Sequence, residues 1–281
     1  MWDPELGDLD GIIDRALAED LAAGDVTARA TVPLDKQAKA TFVAKSQLVV
    51  CGMPIAARVF TKLDPSATFR ALRPEGTQVE PRTTIAEIAG NARALLGAER
   101  TALNLIQRMC GIATTTRRWA EAAAGRCRVT DTRKTMPGLR ALDRYAVRTG
   151  GGHNHRNDLG AGVLIKENHI RAAGGITIAI AAAKRHAPHG MRVECEVTTL
   201  AEVDEALAAK ADAILLDNMD DAMVKDALAK IAGRAIVEVS GNVDFDRLGR
   251  LAAMGVDLVS VGALTHSVRA ADVSMLFEQT P

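Results

Sequence analysis

The sequence predicts an α/β protein with two textures in series: an α+β segment with mainly antiparallel strands, then a parallel α/β sheet or barrel. Three observations carry this. After Gly125, short apolar runs alternate with helical stretches of roughly ten residues, the pattern of repeated βα units. Six of those runs lead directly into a polar, charged or glycine residue. Before Gly111, by contrast, short strand candidates follow one another between helices.

The elements follow in order. Leu9–Ala22 carries apolar residues at helical spacing (Leu9, Ile12, Ile13, Leu17, Leu21) and ends near Gly24. Gly24-Asp25-Val26-Thr27 reads as a turn. Lys39–Cys51 is mostly extended, with Ala40, Phe42 and Ala44 alternating with polar neighbours. Pro54–Leu63 returns to helix, with proline in the first turn, where its missing N–H costs little. Thr68–Leu72 and Thr84–Ile88 are further strands. Arg93–Ala124 is a long helical region expected to break at Gly111. The domain change is placed there: residues 1–110, then 111–266, with 267–281 open to packing on the first domain.

The six later strands are Val129–Asp131, Val163–Ile165, Val193–Val197, Ala213–Leu216, Ile236–Val239 and Leu258–Val261. The helices between them are roughly Leu139–Thr149, Ile176–His186, Leu200–Ala209, Ala222–Ile231 and Phe245–Met254. Several are alanine-rich, which allows close packing on a sheet.

Composition narrows the function. Lys plus Arg is 35 and Asp plus Glu is 35 over 281 residues, a formal net charge of zero. A nucleic-acid coat or a polybasic membrane binder is therefore not expected. Aromatic residues make up only 3% of the chain, too few for base-stacking platforms. No apolar run approaches the roughly 20 residues of a membrane span. Met1-Trp2-Asp3-Pro4-Glu5 is acidic and lacks the basic start of a signal peptide. The four cysteines, Cys51, Cys110, Cys127 and Cys195, form no CxxC or zinc pattern. A reducing, cytoplasmic setting is the expectation.

In an α/β barrel the active site lies at the carboxyl ends of the strands. That rule gathers distant residues into one ring. Thr132-Arg133-Lys134 follows the first strand, with Arg133 a fork for carboxylate or phosphate and Lys134 a point charge. Gly150-Gly151-Gly152-His153-Asn154-His155-Arg156 lets backbone approach a ligand closely. His153 and His155 suggest a metal with His169, but no carboxylate or cysteine completes a set locally. An anion cradle fits better, with His155 and Arg156 facing a carboxylate. Lys166 follows the second strand and suits an anion or a Schiff base. Glu194 and Glu196 share one strand face; facing inward, both are desolvated unless paired. Asp217 ends the fourth strand, and with Glu196 it could hold ribose hydroxyls or Mg²⁺. Ser240-Gly241-Asn242 and Val261-Gly262-Ala263, with His266 beyond, supply two glycine turns of the kind that bind phosphate through backbone N–H groups.

The stretches Thr132-Arg133-Lys134-Thr135-Met136-Pro137-Gly138, Gly150–Arg156, Lys166-Glu167-Asn168-His169, Leu215–Met219, Glu238–Asn242 and Ser260–Ser267, with Glu99–Asn104 upstream, resemble the quinolinate phosphoribosyltransferase family. The resemblance spans essentially the whole chain, in the family's order. It implies an N-terminal α/β sandwich followed by an incomplete barrel of six or seven strands. It implies a homodimer with Arg100 reaching the partner's site, and leaves dimer or hexamer open. Arg93, Arg108, Arg117 and Arg118 read as ordinary helix arginines. By the same resemblance, Arg133, His155, Arg156 and Lys166 surround the carboxylates of quinolinate. Lys134, Glu196 and Asp217 handle the ribose and pyrophosphate of phosphoribosyl pyrophosphate with Mg²⁺. Ser240, Gly241, Asn242, Val261, Gly262, Ala263 and His266 hold its 5′-phosphate. Asn242 stands where other members have glycine. The implied reaction is phosphoribosyl transfer with decarboxylation, in de novo NAD synthesis. The rivals are a family paralogue with another acceptor, associated with molybdenum transport, a Schiff-base lyase using Lys166 or Lys134, and a non-catalytic phosphate-binding barrel.

Overall fold

The computed structural model describes residues 7–278. The Met1–Glu5 stretch and the last residues of 267–281 lie outside them. In chain order the first elements are α1 (Leu9–Leu21), α2 (Val26–Thr31), β1 (Gln37–Ala44), β2 (Leu48–Val49), α3 (Met53–Leu63), β3 (Thr68–Ala71), β4 (Gln78–Val79), β5 (Thr84–Asn91) and α4 (Ala92–Ala123). The alternation then runs β6 (Arg128–Thr130), α5 (Arg140–Thr149), β7 (Val163–Ile165), α6 (Glu167–Ala173), α7 (Ile176–His186), β8 (Val193–Val197), α8 (Leu200–Ala208), β9 (Ala213–Asp217), α9 (Asp221–Ile231), β10 (Ile236–Ser240), α10 (Phe245–Met254) and β11 (Leu258–Ser260). The short α11 (Ala263–His266) and β12 (Val273–Phe277) follow.

These elements form two compact units. One holds the chain up to Arg117, residues Thr135–Gly151 and the chain from Leu264 onward; the other holds Arg118–Lys134 and Gly152–Ala263. The two compact units interleave along the chain, with residues 135–151 joining the first unit although they follow β6. Helix α4 runs through Gly111 without a break. Gly111 serves close approach instead: a Cβ there would lie 2.3 Å from the Arg269 carbonyl oxygen. The turn expected at Gly24–Thr27 is also corrected. Asp25 caps a new helix, its carboxylate accepting the Ala28 N–H at 2.8 Å, and α2 starts at Val26.

In the first unit, a sheet of order β12-β1-β5-β3 is antiparallel. Strand β12, absent from the sequence reading, pairs Phe277 to Val273 with Ala40 to Ala44. Phe42 of β1 is fully buried and packs edge-on against Phe60 of α3, with ring centroids 5.8 Å apart; such an aromatic pair adds to the area it removes from water. Arg108 is not an ordinary helix arginine. Its guanidinium grips the wholly buried Asp143 carboxylate in a fork with two bonds of 2.7 Å. Burial makes the pair obligatory, because either charge alone would be stranded.

Asp64, at the end of α3, accepts from Ser66 Oγ at 2.6 Å, Ser66 N at 2.9 Å and Asn91 N at 2.8 Å. These bonds, the Ser66 hydroxyl first, hold its carboxyl below the usual range.

The second unit is one parallel sheet of six strands in the order β6-β11-β10-β9-β8-β7. The first and second strands in sequence sit at opposite edges, which is the order of a barrel left open between them. A seventh contribution is only a bridge, Thr130 to His153, beside β6. Side-chain caps start the outer helices: Thr199 with Glu202 on α8, Asp220 on α9 and Asp244 on α10. Helix α6, directly after Lys166, was not expected from the sequence. Its entry is fixed by the Lys166 N–H donating to His169 Nδ1 at 2.9 Å.

Asp64→Ala should cost about 1–3 kcal/mol near neutral pH, the scale of hydrogen bonds to a charged group. The folded-state value is depressed, so this stabilisation is full above about pH 4 and is lost as pH falls through the folded value. Urea unfolding of wild type and variant should therefore show a gap that closes towards pH 3.

Candidate active site

The alternation of β8 sets the first charges. Val193, Cys195 and Val197 are buried, so Glu194 and Glu196 point to the opposite face, into the bore. Strand β7 pairs in register with β8, Ile165 opposite Cys195. The next residue, Lys166, is thereby carried beside Glu196, and its ammonium bonds the Glu196 carboxylate. Asp217 ends β9, adjacent to β8. Burial first, and then the charge of Glu196, push its carboxyl up; Lys166 and Lys134 pull the other way. Lys134, Lys166, Glu196 and Asp217 thus share one electrostatic neighbourhood. They line a cavity of about 540 Å³ with Thr132, Arg133, His155, Arg156, Ser240, Gly241 and Asn242. Lys166 is 47% exposed in its side chain and ion-paired. It lacks the desolvation that activates a Schiff-base amine.

The turn after β10 interlocks with the turn after β9. Asn218 N–H donates to the Ser240 carbonyl at 3.0 Å, and Asn242 Nδ2 donates to Asn218 Oδ1 at 3.1 Å. Gly241 has φ +86°, and a Cβ there would lie 2.2 Å from Asn218 Oδ1. Only glycine fits. Asn242 is left-handed too, with φ +52°; asparagine tolerates that region, which accounts for it at a position where glycine is the alternative.

Arg247 of α10, which the sequence reading passed over, holds both turns. Its guanidinium donates to Gly241 O at 3.1 Å, Asn242 O at 3.0 Å, Asp221 Oδ1 at 2.9 Å and the Met219 carbonyl. It is only 8% exposed. An arginine on the same helix face as Leu248 and Leu251 was the one available signal.

Other expected residues fall elsewhere. The Val261 N–H is already spent on the Thr130 carbonyl at 3.0 Å, so it is not a phosphate donor. Gly262 and Ala263 follow it but do not line the cavity. Arg100 and His266 belong to the other unit; both are exposed, and His266 Nδ1 lies 2.6 Å from Ser267 Oγ. His153, His155 and His169 do not gather as a metal site. The carboxylates missing near His155 in sequence arrive from β8 and β10 instead. His155 Nε2 is 3.4 Å from Glu194 Oε2 and 3.4 Å from Glu238 Oε2. Hydrogen bonding to Glu194, then to Glu238, draws the imidazole up to about 10. Desolvation raises Glu194; at Glu238 desolvation also pushes up, but the hydrogen bond and charge of His155 and the bond from Ser260 outweigh it and hold the carboxyl down.

An open parallel barrel with cations and carboxylates at the carboxyl ends of its strands, beside a glycine turn, defines an enzyme site for polyanionic substrates. The model of the quinolinate phosphoribosyl transferase C-terminal domain matches residues 112–276, and that of its N-terminal domain matches residues 25–110. Nicotinate-nucleotide pyrophosphorylase [carboxylating], chloroplastic, of Arabidopsis thaliana is 42% identical over 95% of this chain and 82% of its own length. The probable nicotinate-nucleotide pyrophosphorylase [carboxylating] of Synechocystis is 42% identical over 91% of this chain and 88% of its own. The solved structure of NadC from Streptococcus pyogenes superposes with a TM-score of 0.93 at 39% identity, covering 99% of each chain. The chain belongs to the quinolinate phosphoribosyltransferase family.

Arg247→Ala should free both turns at once. Calorimetric titration should show phosphoribosyl pyrophosphate binding weakened at least about tenfold, with stability reduced by about 1–3 kcal/mol as buried carbonyls lose their donor.

Proposed function

We propose that this chain transfers the phosphoribosyl group of phosphoribosyl pyrophosphate to quinolinate with loss of CO₂, giving nicotinate mononucleotide and pyrophosphate, a step of de novo NAD synthesis. The observation that carries the reading is the convergence of Lys134, Lys166, Glu196 and Asp217 on one cavity in a chain of this family.

Arg133, Arg156 and Lys166 supply the positive charge that a dicarboxylate acceptor requires, with Arg100 of the partner subunit completing the set in a homodimer. The turn Ser240-Gly241-Asn242 receives the 5′-phosphate. Glu196 and Asp217 present carboxylate oxygens from adjacent strands, a donor set suited to Mg²⁺ bound together with substrate phosphates. When bound, the ion would neutralise charge on the departing pyrophosphate.

The pyridine nitrogen attacks C1 of the ribose as the C1–O bond to pyrophosphate breaks. Positive charge grows on the sugar in the transition state, and Glu196 and Asp217 stabilise it across the bore. Lys134 and Lys166 offset negative charge on the leaving group. The ring, now a cationic pyridinium, accepts the electron pair left when the 2-carboxylate departs as CO₂. A proton then takes the vacated carbon. No protein nucleophile is used, so positioning and field carry the rate. The four cysteines are free thiols, in keeping with a reducing, cytoplasmic setting. No helix among the described residues is long and apolar enough to cross a membrane.

The direct test is incubation with carboxyl-labelled quinolinate, phosphoribosyl pyrophosphate and Mg²⁺. Stoichiometric labelled CO₂ with nicotinate mononucleotide supports the reading; substrate returned intact defeats it. Lys134→Ala and Lys166→Ala should each lower kcat at least about a hundredfold with unchanged circular dichroism, the loss expected for a group acting on transition-state charge. Arg100→Ala should raise KM for quinolinate more than KM for phosphoribosyl pyrophosphate. The opposite preference in initial-rate kinetics removes Arg100 from the acceptor site.

A further inference from the structure

The turns after β9 and β10 are joined by side-chain amides as well as by main chain. Asn218 Nδ2 donates to Asp217 Oδ2 at 2.7 Å, and Asn242 Nδ2 donates to Asn218 Oδ1 at 3.1 Å. Charge fixes the direction of this relay. An ionised carboxylate only accepts, so Asn218 must present its NH₂ to Asp217. Its oxygen then faces the other way, and Asn242 must present its own NH₂ to that oxygen. Turning either amide over would set two acceptors against each other.

The backbone brings the two amides within reach. Asn218 has φ +54° and Asn242 has φ +52°, both left-handed. The Asn218 main-chain N–H donates to the Ser240 carbonyl at 3.0 Å. Between them, the space that a Cβ on Gly241 would need is filled by Asn218 Oδ1. A left-handed backbone is easier for asparagine than for most residues, and easier still for glycine. Position 242 is where the family resemblance implies glycine. A glycine there would relax the turn but leave Asn218 Oδ1 without this donor. The side chain of Asn242 is therefore a feature of this chain, and it acts on Asp217 through one intervening amide.

Asp217 has need of that support. Lys166, the nearest ammonium on the neighbouring strand pair, is committed to Glu196. The Asn218 amide holds Oδ2 of Asp217, which leaves Oδ1 for a ligand in the cavity that both residues line. Hydrogen bonds in series strengthen one another, so the bond from Asn242 firms the one at Asp217.

We propose that Asn242 is a positioning residue: through Asn218 it orients the Asp217 carboxylate, so that the turn receiving the 5′-phosphate and the acid facing the reacting sugar carbon are set as one unit. The proposal rests on the roles given above to that turn and to Asp217 in the proposed reaction.

Glycine is the informative substitution at both asparagines, because it keeps the left-handed backbone and every main-chain N–H. The first experiment reads the relay itself, whatever the substrate proves to be. In ¹⁵N-asparagine-labelled full-length protein, the Asn218 carboxamide is identified by its loss in Asn218→Gly. Its protons should exchange with water at least about fivefold faster in Asn242→Gly than in wild type, the protection expected from one hydrogen bond. An unchanged exchange rate overturns the relay. The second experiment is kinetic. Asn242→Gly should lower kcat about fivefold while KM for phosphoribosyl pyrophosphate changes less than about twofold, because the main-chain donors of the turn remain. A turn that is merely loosened would give the reverse split. In an Asn218→Gly background, Asn242→Gly should lower kcat by less than about a further twofold, because its effect passes through the missing amide. Effects that multiply, a change confined to KM for phosphoribosyl pyrophosphate, or an unchanged kcat in Asn242→Gly overturn the proposal. Should Asn218→Gly not fold, Asn218→Asp takes its place in the cycle with the same two outcomes, since a carboxylate there cannot donate to Asp217. A wild-type protein that makes no nicotinate mononucleotide defeats the proposed reaction and leaves the exchange measurement to decide the relay.

Discussion

The constraint on which this site depends is the cost of carboxylates inside a barrel. Parallel strands alternate their side chains, so a strand whose apolar residues face the helices must turn the others into the bore. On β8 those others are Glu194 and Glu196, and Asp217 and Glu238 join them from β9 and β10. An unpaired carboxylate there loses its hydration with no return. Each has a partner: Lys166 for Glu196, Asn218 for Asp217, Ser260 for Glu238, and His155 for both Glu194 and Glu238.

The partners differ with depth. Near the mouth the compensating group is a half-exposed ammonium, which substrate phosphates can compete for. Deeper down, compensation comes from a nearly buried imidazole and a buried hydroxyl, which no ligand displaces without leaving a charge unpaired. The upper layer is therefore exchangeable and suited to chemistry, whereas the lower layer is fixed and suited to holding the upper one in place. Arg247 plays the corresponding part from outside the barrel. A single buried guanidinium satisfies carbonyls in the turns after β9 and β10, so the shape of one turn depends on the other.

Much of this was legible in advance because strand ends are local. An apolar run ending on Lys166 or Asp217 states both the element and the polar group that follows it, and the barrel rule places such groups together. The spacing of Glu194 and Glu196 states their common face. Glycine's low helix propensity predicts a break at Gly111, but that glycine stands inside a continuous helix because the Arg269 carbonyl leaves no room for a side chain there. Arg108 looked like an ordinary helix arginine for a similar reason: Asp143, its partner, lies 35 residues away in the chain.

The sequence by itself determined the two textures, the six parallel strands and the identity of the groups at their carboxyl ends, because periodicity and strand termini depend on neighbours along the chain. Only the tertiary structure decided who pairs with whom. It turned His155 inward to two glutamates, placed Arg247 beneath two turns and assigned the Val261 amide to the sheet. Those outcomes depend on which inward charge lies nearest which donor once the sheet has curved, and that distance is written nowhere in the order of residues.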